Sequence, residues 1–140
     1  MPAALENLVK TGSLKEEPPA QAEFDGLVQS GSNRLKDAKN PALTIESRFD
    51  LAYNAAHALA LAALRFHGYR SESRYLVFQV LPHTVNLPPE QWRVLDKAHR
   101  QRNLSEYEGV VDVDTATVDA LLRVGTELET RVKALGPVPG

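Results

Sequence analysis

Apolar residues recur three and four positions apart along most of the chain, which is the spacing of one face of an α-helix. The longest such stretch, residues 45–66, has an apolar face wide enough for the central helix of a bundle. Thr44 is placed to cap the start of this helix, and Gly68 is placed to end it. The apolar stripe consists of Ile45, Phe49, Ala52, Ala56, Leu59, Ala63 and Phe66, widened by Tyr53, Ala60 and Leu64.

Glycine falls on the apolar face of two further predicted helices, at Gly31 and Gly125. Glycine weakens a helix interior by up to about 1 kcal/mol relative to alanine. We therefore expect a neighbouring helix to approach closely at Gly31. Asp114 or Thr115 is expected to cap the last helix, because short polar side chains accept hydrogen bonds from the first turn. The helices predicted besides the central one cover residues 3–10, about 20–38, 88–102 and about 115–135.

Residues 74–87 are ambiguous, because YLVFQV has the composition of a strand but the chain offers no convincing partner strand. We interpret residues 72–86 as a helix disturbed near Pro82. The predicted fold is an all-α, antiparallel up-and-down bundle of five to six helices. We expect a single domain over residues 1–140, with an N-terminal helix and linker (1–19), a bundle core (20–135) and a frayed tail (136–140).

Composition and charge narrow the classes of protein that fit. The chain has no Cys, no apolar run of the roughly 20 residues that span a bilayer, and no signal-peptide pattern at its start, so a cytoplasmic protein without a membrane segment is expected. The formal net charge is -2, but residues 65–102 carry seven basic and three acidic residues. That basic segment can attract phosphates, although a solvated helix face is the commoner explanation of modest charge clusters. Histidine and carboxylate spacing predicts no metal site, and no cofactor is expected.

The basic segment runs into HRQRNLSEY, residues 99–107. On a helix, His99, Arg102 and Glu106 share one side. Asn103 favours caps and turns, so we expect the helix to break there and to turn Arg102 and Tyr107 toward one pocket. The alternative is that Arg100 and Arg102 form surface ion pairs with Glu106 or Glu108, each worth under about 1 kcal/mol.

The chemistry of these side chains suits a phosphate. Arg102 can hold phosphate oxygens with its planar fork, and His99 can exchange a proton near neutral pH. Asn103 can orient a substrate or the guanidinium, and Arg100 and Glu106 are further candidate ligands. In an antiparallel bundle, Arg48 and Tyr53 would line the same pocket; alternatively, Tyr53 lies in the core and Arg48 is a surface charge. His57, in the middle of the central helix, is interpreted as a core or groove histidine.

The Ala-rich central helix, the Gly-Tyr-Arg turn at residues 68–70 and the later RNLSEY together resemble the HEPN superfamily, over roughly residues 19–135. That resemblance implies a small helical bundle of toxin–antitoxin and phage-defence systems. Active members are metal-independent endoribonucleases, usually homodimers whose Arg–polar–His motifs meet at the interface. Arg102 and Asn103 match the motif. The resemblance also implies RNA or a nucleotide as ligand, and a cognate antitoxin or nucleotidyltransferase as partner.

Tyr107 stands where the family's catalytic His is expected, and this departure leaves two hypotheses. A tyrosine has a pKa near 10, so it is a poor general base at neutral pH. Either the protein is a weak or catalytically silent relative that binds nucleotides or a partner protein, or His99 supplies the imidazole. The second hypothesis predicts that His99→Ala abolishes RNA cleavage and that Tyr107→Phe does not. A protein-interaction module without nucleic-acid activity is the competing class.

Overall fold

The computed structural model describes the backbone of residues 3–108 and 113–139, and the side chains of residues 3–104 and 113–139. Its described part is mostly helical, which confirms the predicted all-α bundle. It has seven helices rather than five or six. They are α1 (Ala3–Lys10), α2 (Gln21–Ala38), α3 (Ile45–Phe66), α4 (Arg74–Gln79), α5 (Leu81–Thr84), α6 (Pro89–Glu108) and α7 (Thr115–Lys133).

The predicted helix ends agree with the observed ones where a local signal marks them. Thr44 Oγ1 accepts a hydrogen bond from the Ser47 backbone N–H at 3.2 Å at the start of α3. Asp114 caps α7 in the same way, since its Oδ1 accepts from the Thr117 N–H at 2.8 Å. Gly68 has a φ of 87°, a left-handed conformation that favours glycine, and it follows the end of α3.

Helices α2 and α3 pack antiparallel, with contacts that run from one end of the pair to the other. Arg65 bonds to Glu23 at one end, and Arg48 bonds to the Ala38 carbonyl oxygen at the other. Between them, a Cβ atom added to Gly31 would lie 2.6 Å from Leu59 Cγ. The close approach predicted at Gly31 is therefore confirmed.

Helix α7 lies antiparallel to α2, because Gly125 faces Leu35 and Glu129 accepts a hydrogen bond from Ser32 one turn further along. The core centres on α3, whose alanines let the other helices approach. The N-terminal segment joins this core through Leu5 and Leu14, both almost fully buried.

Two features of the backbone differ from the sequence predictions. The expectation of no sheet misses a two-stranded antiparallel ribbon of β1 (Lys15–Glu16) and β2 (Tyr69–Arg70). The disturbed helix over residues 72–86 is two short helices that separate at Val80, so that Pro82 falls in the first turn of α5, where a missing N–H is tolerated.

The predicted break at Asn103 is wrong, because α6 continues to Glu108. The physical reason is that the Asn103 amide bonds to the His99 side chain one turn earlier rather than competing for the backbone. Positions 102 and 107 therefore stay about 140° apart around the helix axis. Among the described residues, no helix is long and apolar enough to cross a membrane.

Candidate functional site

Polar and aromatic side chains from α3, α4 and α6 meet around Tyr53. The Tyr53 side chain is fully buried, and its hydroxyl oxygen lies 3.0 Å from His99 Nδ1. The guanidinium carbons of Arg102 and Arg74 lie 5.2 and 5.8 Å from the Tyr53 ring centroid, within the range of cation–π attraction. We call this group the cation–aromatic cluster; it comprises Tyr53, Asn54, His57, Arg74, Phe78, His99, Arg102 and Asn103.

Helix geometry explains how three separate segments supply the cluster. Tyr53 and His57 are four residues apart on α3, and His99 and Asn103 are four apart on α6, so each pair projects from one side of its helix. Helix α4 adds Arg74 in its first turn and the buried Phe78 ring, which lies 5.6 Å from the Tyr53 ring. The cluster therefore lies where the middle of α3 meets the second half of α6.

His99 is held on both sides of its ring. Its Nε2 lies 3.2 Å from the Asn103 amide nitrogen, and its Nδ1 lies 3.0 Å from the Tyr53 hydroxyl. With the amide oriented this way, Nε2 accepts from Asn103 and the protonated Nδ1 donates to the tyrosine oxygen. Burial lowers the pKa of His99, and the positive charge of Arg102 lowers it further, against an opposing effect of Asp96. The ring is therefore neutral at pH 7.

His57 belongs to the same electrostatic environment. Its ring lies 5.9 Å from the Phe78 ring in an edge-on arrangement. Burial is the main reason that the pKa of His57 falls from 6.5 to about 4, and the charges of Arg74 and Arg102 add to it. Two neutral imidazoles thus lie beside two guanidinium groups.

The Arg74 guanidinium is bound to a neutral partner. Its Nη1 donates to the Asn54 side-chain oxygen at 3.1 Å, and among the described residues it forms no ion pair with a carboxylate. Arg74 and Arg102 are both partly exposed. Because a guanidinium has five N–H donors, Arg74 keeps donors for a further acceptor at this surface.

The structure brings together four of the residues singled out from the sequence, namely Tyr53, His99, Arg102 and Asn103. Arg48 does not share these contacts, because its Nε donates to the Ala38 carbonyl oxygen at 2.8 Å. The expectation that Arg48 lines the same pocket is thus not met.

Arg100 pairs with Asp96 at 2.6 Å, one turn back along α6, and its side chain is mostly exposed. The surface ion pairs expected with Glu106 or Glu108 involve side chains outside the described residues. The side chains of Glu106 and Tyr107 lie outside the described residues.

Four members of the cluster were not predicted as site residues from the sequence, namely Asn54, His57, Arg74 and Phe78. His57 was assigned to the core or a groove, although its position four residues after Tyr53 indicates a shared helix face. Arg74 carried no such signal, because only the packing of α4 against α3 brings it over the Tyr53 ring.

The C-terminal end of α3 holds a second charged group, in which the arginines are paired with acids. The almost fully buried Arg65 donates to Glu23 Oε1 at 2.7 Å and to the carbonyl oxygens of Glu17 and Pro18 at 2.9 and 2.8 Å. Arg70 pairs with both glutamates, and its hydrogen bonds are the main reason that the pKa values of Glu17 and Glu23 fall below their usual range. These arginines are neutralised by acids, so they hold the N-terminal segment to the bundle.

Comparison of the chain with protein-family models gives no match, and comparison with curated proteins gives none either. The fold and the cation–aromatic cluster are therefore the features from which a function is inferred.

Proposed function

We propose that this protein is a HEPN-type bundle that engages the phosphates of RNA or of a nucleotide through the cation–aromatic cluster, without efficient cleavage, in a toxin–antitoxin or defence setting. The observation that carries the proposal is the pair of guanidinium groups, Arg74 and Arg102, over one buried tyrosine ring. The resemblance of Arg102 and Asn103 to the family's motif supports it.

Phosphate is the ligand that fits the chemistry of this surface. Guanidinium groups bind phosphate oxygens with paired, charge-assisted hydrogen bonds. Burial is the main reason that the pKa values of His57 and His99 are lowered, and the charges of Arg74 and Arg102 lower both further, which is the part that indicates a positive local potential. An anion placed there reduces that potential, and partial burial strengthens its attraction to the guanidinium groups at the cost of some hydration.

Binding is favoured over cleavage because of how His99 is held. A general base needs a nitrogen within reach of the ribose 2′-hydroxyl, and both His99 nitrogens already have protein partners. Tyr107 is a poor base by its ordinary pKa near 10. We therefore propose that His99 positions the Tyr53 and Asn103 side chains rather than removing a proton.

Salt dependence tests the proposal. We expect single-stranded RNA, followed by fluorescence anisotropy, to lose affinity steeply between about 50 and 200 mM salt, as phosphate contacts do. Arg74→Gln should weaken binding and reduce the slope of log affinity against log salt by about 0.7, the value for one phosphate contact on a single strand. Arg123→Gln removes the same charge from an exposed site on α7 and serves as the matched control.

Three other results would contradict the proposal or favour a different function. Equal effects of Arg74→Gln and Arg123→Gln would mean that the cluster is not the binding site. No RNA binding at low salt would favour the protein-interaction module. Cleavage of the RNA that is lost in His99→Ala would refute the binding-only proposal and make His99 a catalytic residue. A homodimer, an antitoxin and a nucleotidyltransferase partner remain predictions from the resemblance.

A further inference from the structure

Tyr75 is a large, exposed aromatic side chain at the edge of the cation–aromatic cluster. It is 43% exposed, and Leu43 and Leu104 are the other large apolar side chains exposed among the described residues. Its ring centroid lies 5.7 Å from that of His99, at an interplanar angle of 43°. Single exposed apolar residues are common, so the neighbours of Tyr75 decide whether it has a role.

A continuous aromatic path joins Tyr75 to the buried centre of the cluster. The His99 ring lies 6.3 Å from the Tyr53 ring and 6.2 Å from the Phe78 ring. Tyr75 is the outer end of this path, and it is supported from below by a His99 ring that two hydrogen bonds hold in place. A partly exposed ring that is supported by a fixed neighbour is a suitable platform for another flat, apolar group.

His99 contacts both the aromatic side chain Tyr75 and the Tyr53 ring on which the guanidinium groups lie. Arg102 and His99 both contact the Tyr53 ring, Arg74 precedes Tyr75 in the first turn of α4, and Tyr75 contacts His99. A ligand that combines an anionic group with an adjacent flat ring matches this arrangement. A nucleotide is such a ligand, since its phosphate and base are joined through one sugar.

We propose that Tyr75, backed by His99, stacks on an unpaired base of the nucleic acid whose phosphate is held by Arg74 and Arg102, so that the preferred ligand is single-stranded RNA. This inference rests on the proposed phosphate binding. A base in a duplex has both faces covered by its neighbours, whereas a base in a single strand can turn onto an aromatic side chain.

The experiment compares two probes on the same variants, namely a single-stranded RNA oligonucleotide and inorganic polyphosphate, which has no base. We expect Tyr75→Ala to weaken RNA binding about ten-fold, the order expected for one stacked base, and to leave polyphosphate binding unchanged. Tyr75→Phe keeps the ring and should bind RNA like the wild type. Leu43→Ala removes a comparable exposed apolar side chain far along the chain and is the matched control.

The outcomes separate the two proposals. If Tyr75→Ala has no effect on RNA, or weakens RNA and polyphosphate equally, the stacking inference is overturned while phosphate binding stands. If a duplex of the same sequence binds as tightly as the single strand, the stacking inference is again overturned. If the wild type binds neither probe, both proposals fail. Far-UV circular dichroism confirms that each variant is folded.

Discussion

Gly31→Ala tests the packing of the bundle where α2 and α3 approach most closely. A Cβ atom at position 31 would lie 2.6 Å from Leu59 Cγ, 2.9 Å from Leu59 Cδ2 and 3.2 Å from the Ala55 carbonyl oxygen. Real Cβ atoms do not approach other atoms within 3.0 Å, so α2 and α3 must separate or Leu59 must move. Leu59 is fully buried and one of its close atoms is the branch point of the side chain, which leaves it little room.

Two opposing effects determine how much Gly31→Ala changes the free energy of unfolding. Replacing glycine by alanine in a helix interior stabilises by about 1 kcal/mol. Overpacking a well-filled core costs typically about 1–3 kcal/mol, and the contact below 3.0 Å at a branched carbon places Gly31 at the upper end. We therefore expect Gly31→Ala to lower the free energy of unfolding by about 2 kcal/mol, since about 3 kcal/mol of strain is only partly offset by the helix preference.

Gly26→Ala is the matched control, because Gly26 lies in the same helix and a Cβ there meets nothing within 4 Å. It should stabilise by up to about 1 kcal/mol. The two variants should thus differ by about 3 kcal/mol in urea denaturation followed by circular dichroism, with unchanged m-values. Equal stabilities for the two variants would refute the close-approach argument.

A double-mutant cycle identifies the contact responsible. In a Leu59→Ala background the clashing atoms are gone, so Gly31→Ala should become neutral or stabilising. If Gly31→Ala remains as destabilising in that background, the strain comes from the Ala55 carbonyl oxygen, the remaining close atom, rather than from Leu59.

Two further predictions concern charged side chains. Arg65→Met removes a buried guanidinium from Glu23 and several carbonyl oxygens. It should cost about 1–3 kcal/mol, mainly because the carbonyl oxygens lose their donor, since Glu23 is partly exposed and stays paired with Arg70. Arg123→Met, at an exposed site, should change the free energy of unfolding by no more than about 0.5 kcal/mol in the same urea titration. Similar losses in the two variants would contradict the conclusion that Arg65 holds the N-terminal segment to the bundle. The pKa of His57 is about 4 in the folded protein, compared with an ordinary value of 6.5 in the unfolded chain. Between these pH values the unfolded chain binds one more proton than the folded protein, so the free energy of unfolding should fall as the pH drops from 6.5 toward 4. At about 1.4 kcal/mol per pKa unit, the loss reaches roughly 3 kcal/mol. His57→Gln should flatten the dependence of the free energy of unfolding on pH, whereas His83→Gln, at an exposed site, should not. An unchanged pH dependence in His57→Gln would show that other groups cause the acid sensitivity.

The parts of the fold set by short-range chemistry were predictable from the sequence. Thr44, Asp114 and Gly68 mark helix ends because their side chains or backbone conformations act within one helical turn. The β1–β2 ribbon was not predictable, because it pairs residues more than fifty positions apart and neither two-residue strand has a pattern of its own.

The candidate site was predictable only along single helices. His99 and Asn103 share a face of α6 by spacing, and an antiparallel bundle brings Tyr53 toward them. Arg74 reaches Tyr53 only because α4 folds back over α3, which is a tertiary effect. The expected break at Asn103 failed because a general preference of asparagine for turns was outweighed by one specific contact with His99.

Two sites along α3 show how similar cations can have different roles. Arg65 and Arg70 face Glu17 and Glu23, and this balanced network has a structural explanation in the attachment of the N-terminal segment. Near the middle of α3, Arg74 is bound to a neutral amide and lies with Arg102 beside two imidazoles that burial and positive charge keep neutral. Such an arrangement lowers the stability of the folded protein at acid pH, and among the described residues Arg74 forms no ion pair that would offset this loss. Because sequences keep locally unfavourable arrangements mainly where function needs them, we expect the region around Tyr53, rather than the Arg65 end of α3, to be where an anionic ligand binds.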